Sequence, residues 1–211
     1  MRNSSMLAAT VLHASLIMLS TAPLQAQSGR AVIEKSGVPG GLVVHVDCRD
    51  GELTAQLRAT ERYTVQGLTT QDPGEAREHI RSRKGLYGPV SVRQWQGGSL
   101  PYADDLVNLV VVSTTASEVD GQEVARVLAP GGVAMIRGTL RNPPSVFETR
   151  SLSGLQGWTK YIKAWPEDMD QWTHYLHGSD NNAVSKDTRI GPMCSRIPAV
   201  HSIWRARSPT C

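Results

Sequence analysis

The sequence predicts an α/β fold, a doubly wound and mostly parallel sheet in strand order 3-2-1-4-5 followed by an irregular C-terminal tail. Short apolar runs such as "LVVHV" at 42–46 and "LVNLVVVS" at 106–113 lack polar alternation, the pattern of strands buried on both faces. Segments with helical spacing separate those runs. Strands joined by helices of this length form right-handed βαβ crossovers, which make successive strands parallel.

The elements follow in order. Residues 42–46 form the first strand, and Leu53 and Leu57, four apart, place a helix over 51–59. Residues 63–67 are a short second strand. Asp72, Pro73 and Glu75 mark the next helix start, with Asp72 as cap and Pro73 in the first turn, and that helix runs to about Lys84. Residues 90–94 alternate as a third strand, and 106–113 is the fourth. Val124, Val127 and Leu128 give a helical stripe that Pro130, Gly131 and Gly132 stop, before a fifth strand at 133–136. Beyond "RNPPS" the periodicity fades, and Trp158, Trp165 and Trp172 stand among polar and turn-forming residues. The expected division is therefore 1–26, 31–140 and 141–211.

The chain has 211 residues, 40% hydrophobic and 19% charged, which is a globular composition. A net charge of +3 with acids interspersed lacks the footprint of a nucleic-acid binder. Arg2, the apolar run at 6–19 and the small residues up to Ala26 read as a secretory signal peptide. That run is shorter than the roughly 20 residues of a membrane span, so no stable span is expected after cleavage, and the localisation is exported. Cys48, Cys194 and Cys211 form no zinc-type pair, and a disulfide between the last two is compatible with export.

Three stretches, "LVVHVDCRDGELTAQL", "SLPYADDLVNLVVVS" and "EVARVLAPGGVAMI", together resemble class I S-adenosylmethionine-dependent methyltransferases of the type 11 group, over about residues 31–137. The resemblance implies a Rossmann-like sheet, S-adenosylmethionine as a small-molecule cofactor and methyl transfer as the activity. The tail, "WTKYIKAWPEDMDQWTHYLHGSDNNAVSKDTRIGP", is similar to the linker that leads into a pyrroloquinoline-quinone-type β-propeller in large exported planctomycete proteins. That likeness implies a β-propeller partner missing from this chain, and a truncated or frameshifted gene.

The family's positions can be carried over one by one. Its glycine loop, where backbone approaches the methionine part of the cofactor, falls on Asp47, Arg49 and Gly51. The acid that takes the ribose hydroxyls falls on Thr69 or Thr70, with Asp72 displaced toward capping. An acid near the adenine falls on Gln96, whose amide still donates and accepts hydrogen bonds. The substitutions imply weak cofactor binding or none. This leaves two functions open: a methyltransferase, and a non-catalytic interaction domain of a quinoprotein-like polypeptide.

Other residues invite chemistry. Asp50 and Glu52 at the turn are read as solvated helix-start acids. His45, inside a buried strand, is read as a hydrogen-bonded core residue. Cys48 beside Arg49 suggests a thiol whose pKa the cation lowers. His174 and His177, three apart with Asp180 nearby, could share one helical face, a spacing that metal ligands also use, but without an HExxH pattern they are read as hydrogen-bonded structural or exposed histidines, and no metal is expected.

Overall fold

The computed structural model describes residues 29–114 and 119–170, together with 175, 177, 179 and 184–188. The expected signal peptide, His174, Asp180, Cys194 and Cys211 lie outside the described residues. The elements are α1 (Gly29–Ser36), β1 (Gly41–Val46), α2 (Glu52–Leu57), β2 (Tyr63–Thr69), α3 (Gly74–Ser82) and β3 (Val90–Gln94). Then come β4 (Val107–Val112), α4 (Gly121–Val127), β5 (Leu128–Arg137), β6 (Phe147–Ser151) and β7 (Trp158–Lys163).

One sheet runs β3-β2-β1-β4-β5-β7-β6. Its first five strands are parallel and reproduce the expected 3-2-1-4-5 order. Strand β1 lies at the centre, with Gly41 to Val46 paired to β2 on one side and Val43 to Val46 paired to β4 on the other. Alternate residues of each central strand feed opposite layers. Val43, Val65, Leu109 and Val111 meet Val32 and Ile33 of α1, Leu57 of α2, and Ala76 and Ile80 of α3. Val44, Val46, Val110 and Val112 meet Val124 and Val127 of α4. This two-sided burial is why these strands read as unbroken apolar runs.

Helix α1 has no counterpart in the sequence reading. It docks Val32, Ile33 and Ser36, a helical spacing, into the first layer, and its first N–H, at Gly29, donates to Gln56 Oε1 of α2 at 2.9 Å. Helix α3 starts slightly differently from the expectation. Pro73 is the cap residue, and the Asp72 carboxylate accepts from Gly74 N–H at 3.1 Å, one residue ahead of the expected arrangement.

Two corrections concern the end of the expected domain. Leu128 does not continue the α4 stripe but opens β5, pairing with Val107, while Val133 pairs with Leu109. Residues 129–132 therefore bulge out of the strand, and the glycines close that bulge. Gly131 has φ 73°, and a Cβ on Gly132 would stand 2.7 Å from the Ala129 carbonyl oxygen. The boundary at residue 140 also moves, because β7 pairs antiparallel with β5 and β6 with β7. The reason is the outer edge of β5: Val133 to Arg137 is a hydrogen-bonding edge that Trp158 to Ile162 satisfies, with Trp158 and Tyr161 buried. No described helix is long and apolar enough to cross a membrane.

Packing between β2 and the turn after β1 gives a test. A Cβ on Gly67 would stand 2.8 Å from Cys48 Sγ and 3.0 Å from its Cβ. Gly67→Ala is expected to destabilise the domain by about 1–3 kcal/mol through overpacking. Adding Cys48→Ala should recover part of that loss in urea denaturation, whereas equal stability of the two variants would show that the contact is not limiting.

Candidate functional site

The sequence-predicted site residues lie along one edge, the carboxyl ends of β1, β2 and β3. In an open α/β sheet ligands bind outside these ends, where strand order reverses. Here the reversal falls between β1 and β4. The turn after β1 holds three of the residues. Asp47, Arg49 and Gly51 all have left-handed backbone, with φ 58°, 41° and 80°. Glycine thus stands at only one of these three left-handed positions.

Gly51 is the position where glycine is indispensable. A Cβ there would stand 3.0 Å from the Ala76 carbonyl oxygen and 3.1 Å from its Cα, so the turn and α3 touch through backbone. At Asp47 and Arg49 the left-handed conformation costs about 1–2 kcal/mol per side-chain-bearing residue, less for aspartate. Specific bonds hold the strain. Cys48 N–H donates to the Leu68 carbonyl at 3.0 Å and Gly51 N–H to the Cys48 carbonyl at 2.8 Å. The Thr114 hydroxyl donates to Asp47 Oδ2 at 2.9 Å, joining the end of β1 to the end of β4 across the point of strand reversal.

Beneath the turn lies a polar core. His45 is buried between two hydroxyls, with Nδ1 2.7 Å from Thr54 Oγ1 and Nε2 2.9 Å from Ser113 Oγ. A neutral imidazole suits this, one nitrogen donating and the other accepting. Burial depresses the His45 pKa to about 4, against a smaller opposing pull from Asp50. The expectation of a hydrogen-bonded core histidine agrees with this geometry. The expected activation of Cys48 does not: burial pushes its thiol up to about 11, a hydrogen bond with Thr54 offsets part of the rise, and Asp47 and Asp50 add to it. The cation of Arg49 is exposed and does not govern the buried sulfur.

The remaining positions follow along the edge. Thr69 is buried at the end of β2, and its hydroxyl accepts from Gln71 N–H at 3.1 Å, while Thr70 is exposed. Thr69 pairs in register with Gln94, and Gln96 lies exposed two residues beyond. Asp50 accepts from Glu52 N–H at 3.1 Å, and Glu52 Oε1 accepts from Gln56 at 3.4 Å, so both acids serve the start of α2. The structure therefore places Asp47, Arg49 and Gly51 in one turn, with Thr69 on the adjoining strand and Gln96 past the next.

Two features escaped the sequence reading. One is the Asp47–Thr114 link, since 67 residues separate the partners. The other is a cavity of about 300 Å³ at the ends of β4 and β5, lined in part by Thr114, Arg137 and Arg141. In the tail, His177 has φ 66°, outside the helical region, and its Nε2 pairs with Asp170, while the expected second histidine, His174, lies outside the described residues. Asp170 also accepts from Lys186 N–H at 2.8 Å. Among the described residues no group of three or more His, Cys, Asp or Glu could hold a metal ion.

No protein-family model matches the sequence. No curated protein matches it. Among solved structures it is similar to a Methanococcus maripaludis protein assigned as an S-adenosyl-L-methionine-dependent methyltransferase, with TM-score 0.54 and 16% identity over 66% of this chain and 84% of that one. A SAM-dependent methyltransferase from Aquifex aeolicus gives TM-score 0.48 and 16% identity over 64% and 87% of the two chains. The first of these likenesses shows a shared fold, the Rossmann-like fold of these methyltransferases.

The His45 network predicts an acid dependence with a definite sign. Its folded pKa of about 4 lies below the unfolded value of 6.5, so the unfolded chain binds more protons between the two. The contribution is complete above pH 6.5 and is lost as pH falls toward 4. Between pH 7 and 4.5 the native protein should lose about 2–3 kcal/mol on this account. Urea titrations at the two pH values should show the loss in the native protein and a smaller one in His45→Gln. Equal losses would remove His45 as the cause.

Proposed function

We propose that this chain is a methyltransferase-like protein of the S-adenosylmethionine-dependent type whose cofactor site is degenerate, so that the domain serves for binding or contact rather than methyl transfer. The observation that carries this reading is the turn after β1, which keeps left-handed backbone at Asp47, Arg49 and Gly51 while placing side chains at the first two. Such a turn works for a cofactor when the backbone is bare. Here the Asp47 carboxylate is engaged by Thr114 in the crevice where strand order reverses.

The other positions support the same conclusion. A ribose diol is held by a carboxylate offering two acceptor oxygens. Thr69 offers one hydroxyl, which already accepts from Gln71 N–H, and Thr70 is exposed. Arg49 adds a cation near a ligand whose sulfonium is itself positive. The residues present do not fit the cofactor, and no transfer step is assigned to them.

Each lost hydrogen bond to a buried polar ligand costs about 1–3 kcal/mol, and two or three weaken affinity by roughly a hundredfold or more. Calorimetric titration with S-adenosylmethionine should give little or no binding for the native domain. It should give measurable binding for the triple variant Asp47→Gly, Arg49→Gly, Thr69→Asp. Micromolar binding by the native domain would overturn the reading and return methyl transfer as the function.

Export belongs to the same proposal. S-adenosylmethionine is made in the cytosol, and an exported domain would not meet it. N-terminal sequencing of secreted material should find a mature chain beginning near Gln27, and intact chains starting at Met1 in the cytosol would refute export.

A further inference from the structure

A cleft of about 470 Å³ opens at the edge of the sheet opposite the turn after β1, and its size is within the range of small-molecule sites. It lies where β4 and β5 begin and the antiparallel β7 ends.

One wall is apolar and reachable. Trp165 keeps 42% of its surface exposed, and Val146, Ala164 and Pro166 beside it are half-buried or exposed. The indole is fixed on two sides: its Nε1 donates to the Met169 carbonyl at 3.1 Å, and its Cε3 stands 3.8 Å from where a Cβ on Gly131 would be. Ala164 N–H donates to the Val146 carbonyl at 2.9 Å and joins the parts of this wall. A ring held in this way needs little further ordering when a ligand arrives.

The other wall is charged, and its two cations have their donors in use. Arg126 commits all five N–H groups, to both oxygens of Glu123, to Asp104 and to the Leu100 and Tyr102 carbonyls, at 2.6–3.0 Å. Lys163 commits all three, to the Ala125 and Leu128 carbonyls at 2.7 Å and to Asp105. What remains is acceptor capacity. The Asp105 side chain is 51% exposed beyond its single ion pair, and Glu167 is exposed and makes no hydrogen bond or ion pair with a described residue. An anion entering here would meet carboxylates with no N–H left to bind it. A cation meets those carboxylates and an indole face, which attracts positive charge through its ring quadrupole.

We propose that this cleft binds a small organic cation of the methylated-ammonium class, its methyl groups on Trp165, Val146 and Pro166 and its charge balanced by Asp105 and Glu167. A methylated ammonium has no N–H to satisfy, so an aromatic face with carboxylates nearby suits it, whereas a primary ammonium brings three donors that each need an acceptor. The cleft is at the opposite edge from the turn after β1, so failure here and failure of the cofactor reading are separable.

The test is an NMR titration of the full chain at low salt, without S-adenosylmethionine, using choline as the probe. The alcohol 3,3-dimethylbutan-1-ol keeps the shape without the charge, and ethanolamine keeps the charge without the methyl groups. Choline is expected to bind saturably, at least about fivefold more tightly than either comparator. Trp165→Leu should weaken it about fivefold, with partial recovery in Trp165→Phe, and Glu167→Lys should weaken it by a similar factor of about five. Glu75→Lys, an exposed acid on α3, should leave choline binding unchanged. If Trp165→Leu lowers the thermal midpoint, the exposed Glu167→Lys decides alone. No saturation by about 20 mM choline, equal affinity for the alcohol or the amine, or indifference to Glu167→Lys would each overturn the proposal.

Discussion

The parallel pairing of β1 with β4 is the constraint from which the site descends. With Val43 opposite Leu109 and Val46 opposite Val112, the two strands end side by side at the centre of the sheet. Helix layers on both faces bury them, so a slip of one residue would send every side chain to the wrong layer. That register brings Ser113 to His45 and Thr114 to Asp47. Neither link would form if the pairing moved by one position.

The link carries a cost and a compensation. Left-handed backbone at two non-glycine residues is a local strain, held by the surrounding hydrogen bonds and the closeness of Gly51 to α3. His45 adds to this, bridging Thr54 and Ser113 as the neutral imidazole that its burial favours. The turn is therefore well defined without a ligand. A turn organised around its own side chains has less backbone to offer one.

Strands β6 and β7 change how the far half of the sheet works. Strand β7 covers the edge of β5, and with the turn that precedes it supplies Gly157, Thr159 and Tyr161, which hold the segment bearing Arg137 and Arg141. Lys163 of β7 ties the other end of the sheet together, its Nζ donating to the Ala125 and Leu128 carbonyls at 2.7 Å and pairing with Asp105. The antiparallel extension is thus part of the architecture that shapes the cavity.

The sequence by itself determined the central sheet. Runs such as "LVVHV" and "LVNLVVVS" are buried on both faces, and burial of a continuous apolar run is a local property that composition reveals. It also located the turn at Asp47, Arg49 and Gly51, since the departure from glycine is visible in the letters. What only tertiary structure decided are contacts between distant residues: Asp47 with Thr114, His45 with Ser113, and Leu140 with Tyr161. Helix α1 and strands β6 and β7 were hidden for a related reason. Exposed positions dilute their periodicity, as in the burial of only its buried-layer residues by α1 and the almost fully exposed "FETRS" of β6, so docking and edge pairing, rather than local pattern, fix their structure. Cys48 shows the same division, because its neighbour in sequence is a cation while its neighbours in space are a buried threonine and Gly67.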